Sequence, residues 1–307
     1  MRKLLFATCL FLVCLTGYMA YDLRTNFYIC PIHGVSRIVD NMPLVDEEPL
    51  EVSSQPPTED RGQEYAKWLK TGLKIMVTKA SGSGTIVYFD SQSGYAYVQS
   101  CGHLWGGNMT AEEGQTKHVT CKVQTWYHND SKLQQPQTYP ADVLFYSNTR
   151  GQDCSLSKFK PDWTPDYNPI GPENFSFEKD MVLHSVGCDG GREVAHYSVM
   201  AAGMRGNPWP DLITIRNSPR PGRSGGGLIS DDGFYVGICW GTSEYGGTGN
   251  GYFTPLKTVR YMNKLNGFEW LNEVGMSLAR QIPIVDHNDP SKKFPRDYIP
   301  LPNGKLE

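Results

Sequence analysis

The sequence predicts an all-β protein built of two six-stranded antiparallel β-barrels followed by C-terminal helices. Three observations lead there. Between Leu73 and Trp240 the chain is a succession of short β-type runs broken by Gly, Asn, Asp and Pro, the pattern of many short strands joined by turns. A gap over residues 160–180, containing the Pro-rich stretch Pro161–Pro172, parts these runs into two sets of about six. Beyond the last run, helix caps replace strand breakers.

In chain order, the first set comprises Leu73–Thr78, Thr85–Phe89, Tyr95–Gln99, Val119–Tyr127, Ala141–Tyr146 and Ser155–Phe159. The second comprises Met181–Val186, Glu193–Met200, Leu212–Arg216, Gly227–Ser230 and Phe234–Trp240. Thr254-Pro255 then reads as an N-cap followed by Pro at the first helical position. That helix should run to Leu265, where Asn266-Gly267 stops it. A second helix is expected over Phe268–Gln281, and the polar tail from Pro283 should be extended.

Ahead of the strands, Arg2 and Lys3 precede an uncharged apolar stretch, Leu4–Tyr21. That is the layout of an export signal, and its length of about 18 residues approaches a bilayer span. Tyr18 stands where a cleavage site wants a small residue. Residues 1–21 are therefore read as either a signal peptide or a retained N-terminal membrane anchor. Both place the rest of the chain outside the cytoplasm. Residues 22–64 read as a linker, acidic at Glu47, Glu48 and Glu51 and lacking periodicity through Ser53–Pro57. A helix is expected over Thr58–Thr71, because Tyr65, Trp68 and Leu69 fall at i, i+3 and i+4. The domain boundaries are accordingly 65–265 for the barrels and 266–307 for the C-terminal helix and tail.

Composition narrows the function. With 29 basic against 32 acidic residues and a net charge of −3, no cationic surplus exists to neutralise phosphates, so nucleic acid is not an expected partner. A mean hydropathy of −0.43 excludes a polytopic membrane protein. Of the eight cysteines, Cys9 and Cys14 fall in the N-terminal segment. The even set Cys30, Cys101, Cys121, Cys154, Cys188 and Cys239 in an exported chain predicts at least one disulfide. No CxxC pair occurs, and Cys30-Pro-Ile-His33 lacks a second half. No metal is expected.

The sharpest chemical signal is Pro221-Gly222-Arg223-Ser224-Gly225-Gly226-Gly227. Glycines around a serine let backbone approach closely and turn N–H groups toward one point. Acyl transfer needs just that: a hydroxyl nucleophile, Ser224, beside oxyanion donors, the N–H groups of Gly222 and Ser224. The alternative is a flexible Gly-rich turn. A serine also needs a base, and His103, in Ser100-Cys101-Gly102-His103-Leu104, sits where a strand gives way to a turn. Its rivals His118, His128, His184 and His196 lack that glycine context. The base in turn needs a carboxylate to fix its tautomer. Asp153 stands at the entry to a strand, with Asp142 as runner-up.

The order His103, Asp153, Ser224 on a two-barrel pattern resembles the trypsin-like (chymotrypsin-fold) serine peptidases over about residues 73–265. Gly82-Ser83-Gly84-Thr85-Ile86 resembles an early strand of the bacterial, HtrA-type branch, and Ser100–Leu104 the segment around the family's histidine. Asp153–Phe159, Ser185-Val186-Gly187 and Gly222–Leu228 resemble further family segments. Gly237-Ile238-Cys239-Trp240-Gly241 looks like the strand that lines the specificity pocket. The resemblance implies a chymotrypsin-like fold and a serine endopeptidase that acts on protein or peptide substrates without a cofactor. Ser218, Cys239, Trp240 and Gly241 would contact substrate. The stretch beyond Leu265 is too short for the PDZ domain that usually follows HtrA-type proteases. Arg223 replaces the acidic residue that animal trypsins pair with a freshly cut N-terminus, so a preformed site is expected. Ser218 replaces the acidic pocket base of trypsins, which disfavours Arg or Lys at the cleavage site. The competing reading is a catalytically silent homologue that binds peptide or serves as a cell-envelope interaction protein.

Overall fold

In a computed structural model of the chain, the described residues are 28–30, 34–36, 67–127, 134–149, 151–205, 211–216, 218–242 and 249–281. The chain divides into two units, Met1–Pro56 and Pro57–Glu307. In the first, β1 (Tyr28–Cys30) and β2 (Gly34–Ser36) form an antiparallel hairpin within the stretch read as a linker. Residues 1–21, most of the linker and the tail beyond Gln281 lie outside the described residues. No described helix is long and apolar enough to cross a membrane.

The second unit carries two barrels. The first is built from β3 (Gly72–Met76), β4 (Ser81–Asp90), β5 (Tyr95–Ser100), β7 (Thr120–Thr125), β8 (Gln137–Ser147) and β9 (Cys154–Phe159). Their order is β8-β7-β3-β4-β5-β9, and β9 pairs back onto β8 to close the ring. A two-residue strand, β6 (Asn108–Met109), adds to β8, and a short helix, α1 (Ala111–Lys117), follows it. Period-two patterning aims the side chains. Along β7, Cys121, Val123 and Thr125 are buried while Thr120 and Lys122 are exposed. Leu73, Ile75, Ile86, Val98, Val123 and Phe159 belong to the resulting core.

The second barrel contains β10 (Val182–Cys188), β11 (Val194–Arg205), β12 (Leu212–Arg216), β13 (Gly227–Ser230), β14 (Tyr235–Thr242) and β15 (Asn250–Pro255). They close in the order β10-β11-β12-β15-β14-β13 around Leu183, Val199, Ile213, Leu228, Val236 and Phe253. Both barrels are antiparallel and six-stranded, as the sequence predicts.

Two helices end the described chain, α2 (Leu256–Leu265) and α3 (Glu269–Gln281). Leu256, Val259 and Met262, spaced by three, are buried with Leu271 of α3 against Phe145, Leu156, Tyr235 and Ile238 of the two barrels. Each fully buried side chain of this size contributes about 1.5–3 kcal/mol. The one buried polar residue of α2, Asn263, is satisfied: Gln99 of β5 donates to its Oδ1 at 2.8 Å.

Two expectations need correction, and one further element was not expected. Thr254 is not the N-cap of α2. It belongs to β15, a strand the sequence reading missed, and its hydroxyl donates to the Asp153 carbonyl at 3.2 Å. Pro255 stands at the N-cap without a side-chain bond. The expected disulfide does not form among Cys101, Cys121, Cys154, Cys188 and Cys239, which are free and buried. They pack as small apolar residues within hydrophobic clusters. Finally, α1 went unread, although Thr110 and Glu113 form a reciprocal capping box at its start.

Candidate active site

Strand pairing brings His103 and Asp153 together. β5 ends at Ser100, β9 begins at Cys154, and Ser100 pairs with Ser155. The turn after β5 and the residue before β9 therefore meet at one end of the first barrel. Asp153 is buried, and both its oxygens are occupied. Oδ1 accepts the backbone N–H groups of Gly102 at 2.7 Å and His103 at 2.8 Å. Oδ2 lies 2.7 Å from Nδ1 of His103. A carboxylate only accepts, so the neutral imidazole carries its proton on Nδ1 and presents a lone pair on Nε2. Burial alone would lower the His103 pKa, but the Asp153 carboxylate and the neighbouring Cys101 together outweigh it and hold the value well above 6.5.

The Nε2 lone pair faces a thiol: Cys101 Sγ is 3.5 Å away. Ligand atoms of Cys101, His103 and Asp153 fall within 4.8 Å of one another. Burial raises the Cys101 thiol pKa, which keeps it protonated at neutral pH. Asp153 is committed to three N–H partners. The cluster is thus arranged to orient an imidazole rather than to offer three anionic or neutral ligands to an ion.

The Ser224 turn is fixed from both barrels. Gly225 N–H donates to Cys239 O of β14, and Cys239 N–H returns a bond to Gly226 O, each at 2.8 Å. From the first barrel, Ser83 N–H donates to Ser224 O at 2.7 Å, and Ser83 Oγ donates to Gly222 O at 2.8 Å. Gly225 has φ +87°, and a Cβ there would lie 2.2 Å from both Ser83 O and Ser100 Oγ and 3.1 Å from Cys101 N. That contact seats the turn against the segment leading to His103. A Cβ on Gly82 would likewise meet Ser224 O at 2.7 Å and the Leu104 side chain at 2.9 Å. Ser224 is half-buried, and among the described residues its hydroxyl forms no hydrogen bond to His103. Nor do the N–H groups of Gly222 and Ser224 have a backbone acceptor there.

Of the residues expected to contact substrate, Cys239 is buried and holds the Ser224 turn. Trp240 is half-buried and meets Tyr252 edge-on at 6.5 Å. A Cβ on Gly241 would meet nothing within 4 Å. Ser218 is buried and hydrogen-bonded to the Thr242 hydroxyl. The rival groups lie elsewhere. His118 ends α1, Asp142 is an exposed β8 residue, and His128 is outside the described residues. His184 bonds His196 at 2.8 Å and stacks on Trp68 with ring centroids 4.4 Å apart. The sequence reading missed Ser83, whose hydroxyl donates to Gly222 O, and Asp189, which pairs with Arg223 and accepts from the Tyr197 hydroxyl. The Gly-Ser-Gly motif was visible, and Arg223, set in a Gly-rich turn, signalled the need for a counter-charge.

The family model described as trypsin-like peptidase domain matches residues 82–238, just over half of the chain. No curated protein matches it. Among solved structures the chain is similar to Rv3671c from M. tuberculosis H37Rv in an inactive mutant form. That match has a TM-score of 0.51 at 18% identity and covers 71% of this chain and 97% of that one. A second inactive Rv3671c structure gives 0.50 at 19% identity, covering 71% and 100%. The HtrA-type protease AlgW with a tripeptide gives 0.49 at 18% identity, covering 65% and 60%. The likeness to Rv3671c speaks for the two-barrel fold.

Proposed function

Because the chain belongs to the trypsin-like peptidase family, we propose that it is a serine endopeptidase using His103, Asp153 and Ser224 as its triad. The observation that carries this reading is the bidentate seating of Asp153, which directs Nε2 of His103 away from the carboxylate. In the reaction, Ser224 Oγ attacks the scissile carbonyl while His103 Nε2 takes its proton. The imidazolium then protonates the leaving amine, and water reverses the sequence to release the acyl group. The N–H groups of Gly222 and Ser224 hold the oxyanion. Gly241 leaves the pocket rim open and Ser218 adds no charge, so apolar or small side chains suit the cleavage site. The apolar segment within residues 1–21 supports action outside the cytoplasm.

A second reading, a peptide-binding homologue without activity, has one observation in its favour: Ser224 and His103 are not hydrogen-bonded. Such bonds often tighten only with substrate bound. A fluorophosphonate probe separates the two readings. Covalent labelling mapped to Ser224 supports the peptidase, and an unlabelled, folded protein supports the silent homologue.

The pH dependence follows from the His103–Asp153 pair. The base must be neutral, so kcat/KM should rise with pH through one ionisation lying above about 6.5, the ordinary histidine value. The sign for stability is opposite. The charged pair stabilises the fold fully below the unfolded histidine value and is lost as pH climbs through the raised one. A kcat/KM profile already flat from pH 5 upward would exclude His103 as the base.

A further inference from the structure

We propose that Arg223 and Asp189 form an internal ion pair that positions the oxyanion-binding turn, an inference resting on the serine-peptidase reading. Arg223 is the residue between the two proposed donors, and its side chain is 1% exposed. A guanidinium at such depth needs partners, and all its nitrogens but Nη2, which is buried without one, are engaged. Here Nε donates to Asp189 Oδ1 at 2.8 Å. Nη1 donates to Ser185 O at 3.0 Å, and Ser185 Oγ and Ala195 O lie at 3.3 and 3.4 Å. The guanidinium carbon sits 4.3 Å from the Tyr197 ring centroid, and the Tyr197 hydroxyl donates to the other Asp189 oxygen. One carboxylate, one aromatic face and two carbonyls thus fix a single side-chain orientation.

That orientation sets the backbone. With the Arg223 side chain drawn into the second barrel, the flanking N–H groups of Gly222 and Ser224 stay out of backbone hydrogen bonds. Asp189 opens the turn Asp189–Gly191 immediately after β10, and Gly190 N–H donates to Pro221 O at 2.6 Å. Gly222 has φ +91°, and a Cβ on it would lie 2.8 Å from Cys188 O and 2.9 Å from Gly191 N. The two turns are therefore in direct contact, pinned by the Arg223–Asp189 pair. Ser83 Oγ closes the bracket from the first barrel, accepting from Cys188 N–H at 2.7 Å and donating to Gly222 O at 2.8 Å. The chain supplies both charges itself, so no newly cut N-terminus is required. Arg223 and Asp189 are positioning residues: they act through the backbone of their neighbours.

The test uses the full chain with Arg223→Met and, as a milder second variant, Asp189→Asn. Hydrogen exchange over residues 219–226 reports on the turn whether or not the protein is an enzyme. It should accelerate at least about tenfold in both variants, with the barrel cores unchanged. If the wild type labels at Ser224, kcat should fall about 10²–10³-fold with KM within about threefold, as for loss of an oxyanion donor. Affinity for a peptidyl boronic acid should weaken with kcat, while affinity for a product peptide holds. The double variant should lose no more than the worse single one. Unchanged exchange in the turn overturns the inference, and so does kcat within twofold of wild type in an active protein. An unlabelled wild type refutes the serine-peptidase reading alone, leaving exchange to decide the pairing.

Discussion

Ser224→Ala should lower kcat by about 10⁴-fold or more and abolish fluorophosphonate labelling. The expected size follows from the mechanism. Without Oγ no acyl-enzyme forms, and His103 has no proton to accept from a nucleophile. What survives is the contribution of substrate binding and of the two N–H groups. Stability should hardly change, within about 0.5 kcal/mol, because the half-buried hydroxyl makes no hydrogen bond that alanine would break. Steady-state kinetics beside a thermal melt would check both halves. Labelling that persists on another residue would remove Ser224 from the mechanism.

Asp153→Asn should cost about 10⁴-fold in kcat at neutral pH. The asparagine fills the same volume, and its carbonyl oxygen can still accept the N–H groups of Gly102 and His103, now held at 2.7 and 2.8 Å. Its amide N–H would then point at Nδ1 of His103 and reverse the tautomer, putting the proton on the nitrogen that must be a base. The carboxylate that does most to raise the His103 pKa disappears as well, leaving burial as the largest remaining influence. The ring's titration midpoint, followed by NMR, should therefore move downward as activity falls. A midpoint that stays put would mean that Asp153 does not govern the imidazole.

Much of the fold was legible because it is local. The alternation in β7, the Pro-rich gap and the Asn266-Gly267 stop each act over a few residues. β15 was not, because Gly246, Gly247, Gly249 and Gly251 look like a loop until β12 and β14 are present to pair with the strand they enter. α1 escaped because it buries none of its seven residues, leaving no apolar period to read. The individual triad candidates stood out by their glycine and strand-end context, yet their proximity depends on barrel closure. The partners of Arg223 were out of reach for the same reason: Asp189 is 34 residues away in sequence. The cysteines were misread because an even count argues from compartment, whereas packing uses a thiol as a small apolar group.

Those thiols also make the protein its own unfolding gauge. Cys121 lies in the core cluster of the first barrel, Cys239 in that of the second, and Cys101 and Cys154 in the cluster spanning both barrels and α2. Cys188 belongs to a fourth cluster beside Trp68 and Trp126. Burial pushes the Cys121 and Cys188 thiols up to about 12, so these two are shielded by protonation as well as by access. An alkylating reagent can reach each sulfur only when its own neighbourhood opens. The order in which the cysteines are modified under mild denaturant therefore records the sequence of opening events, with no probe engineered into the chain.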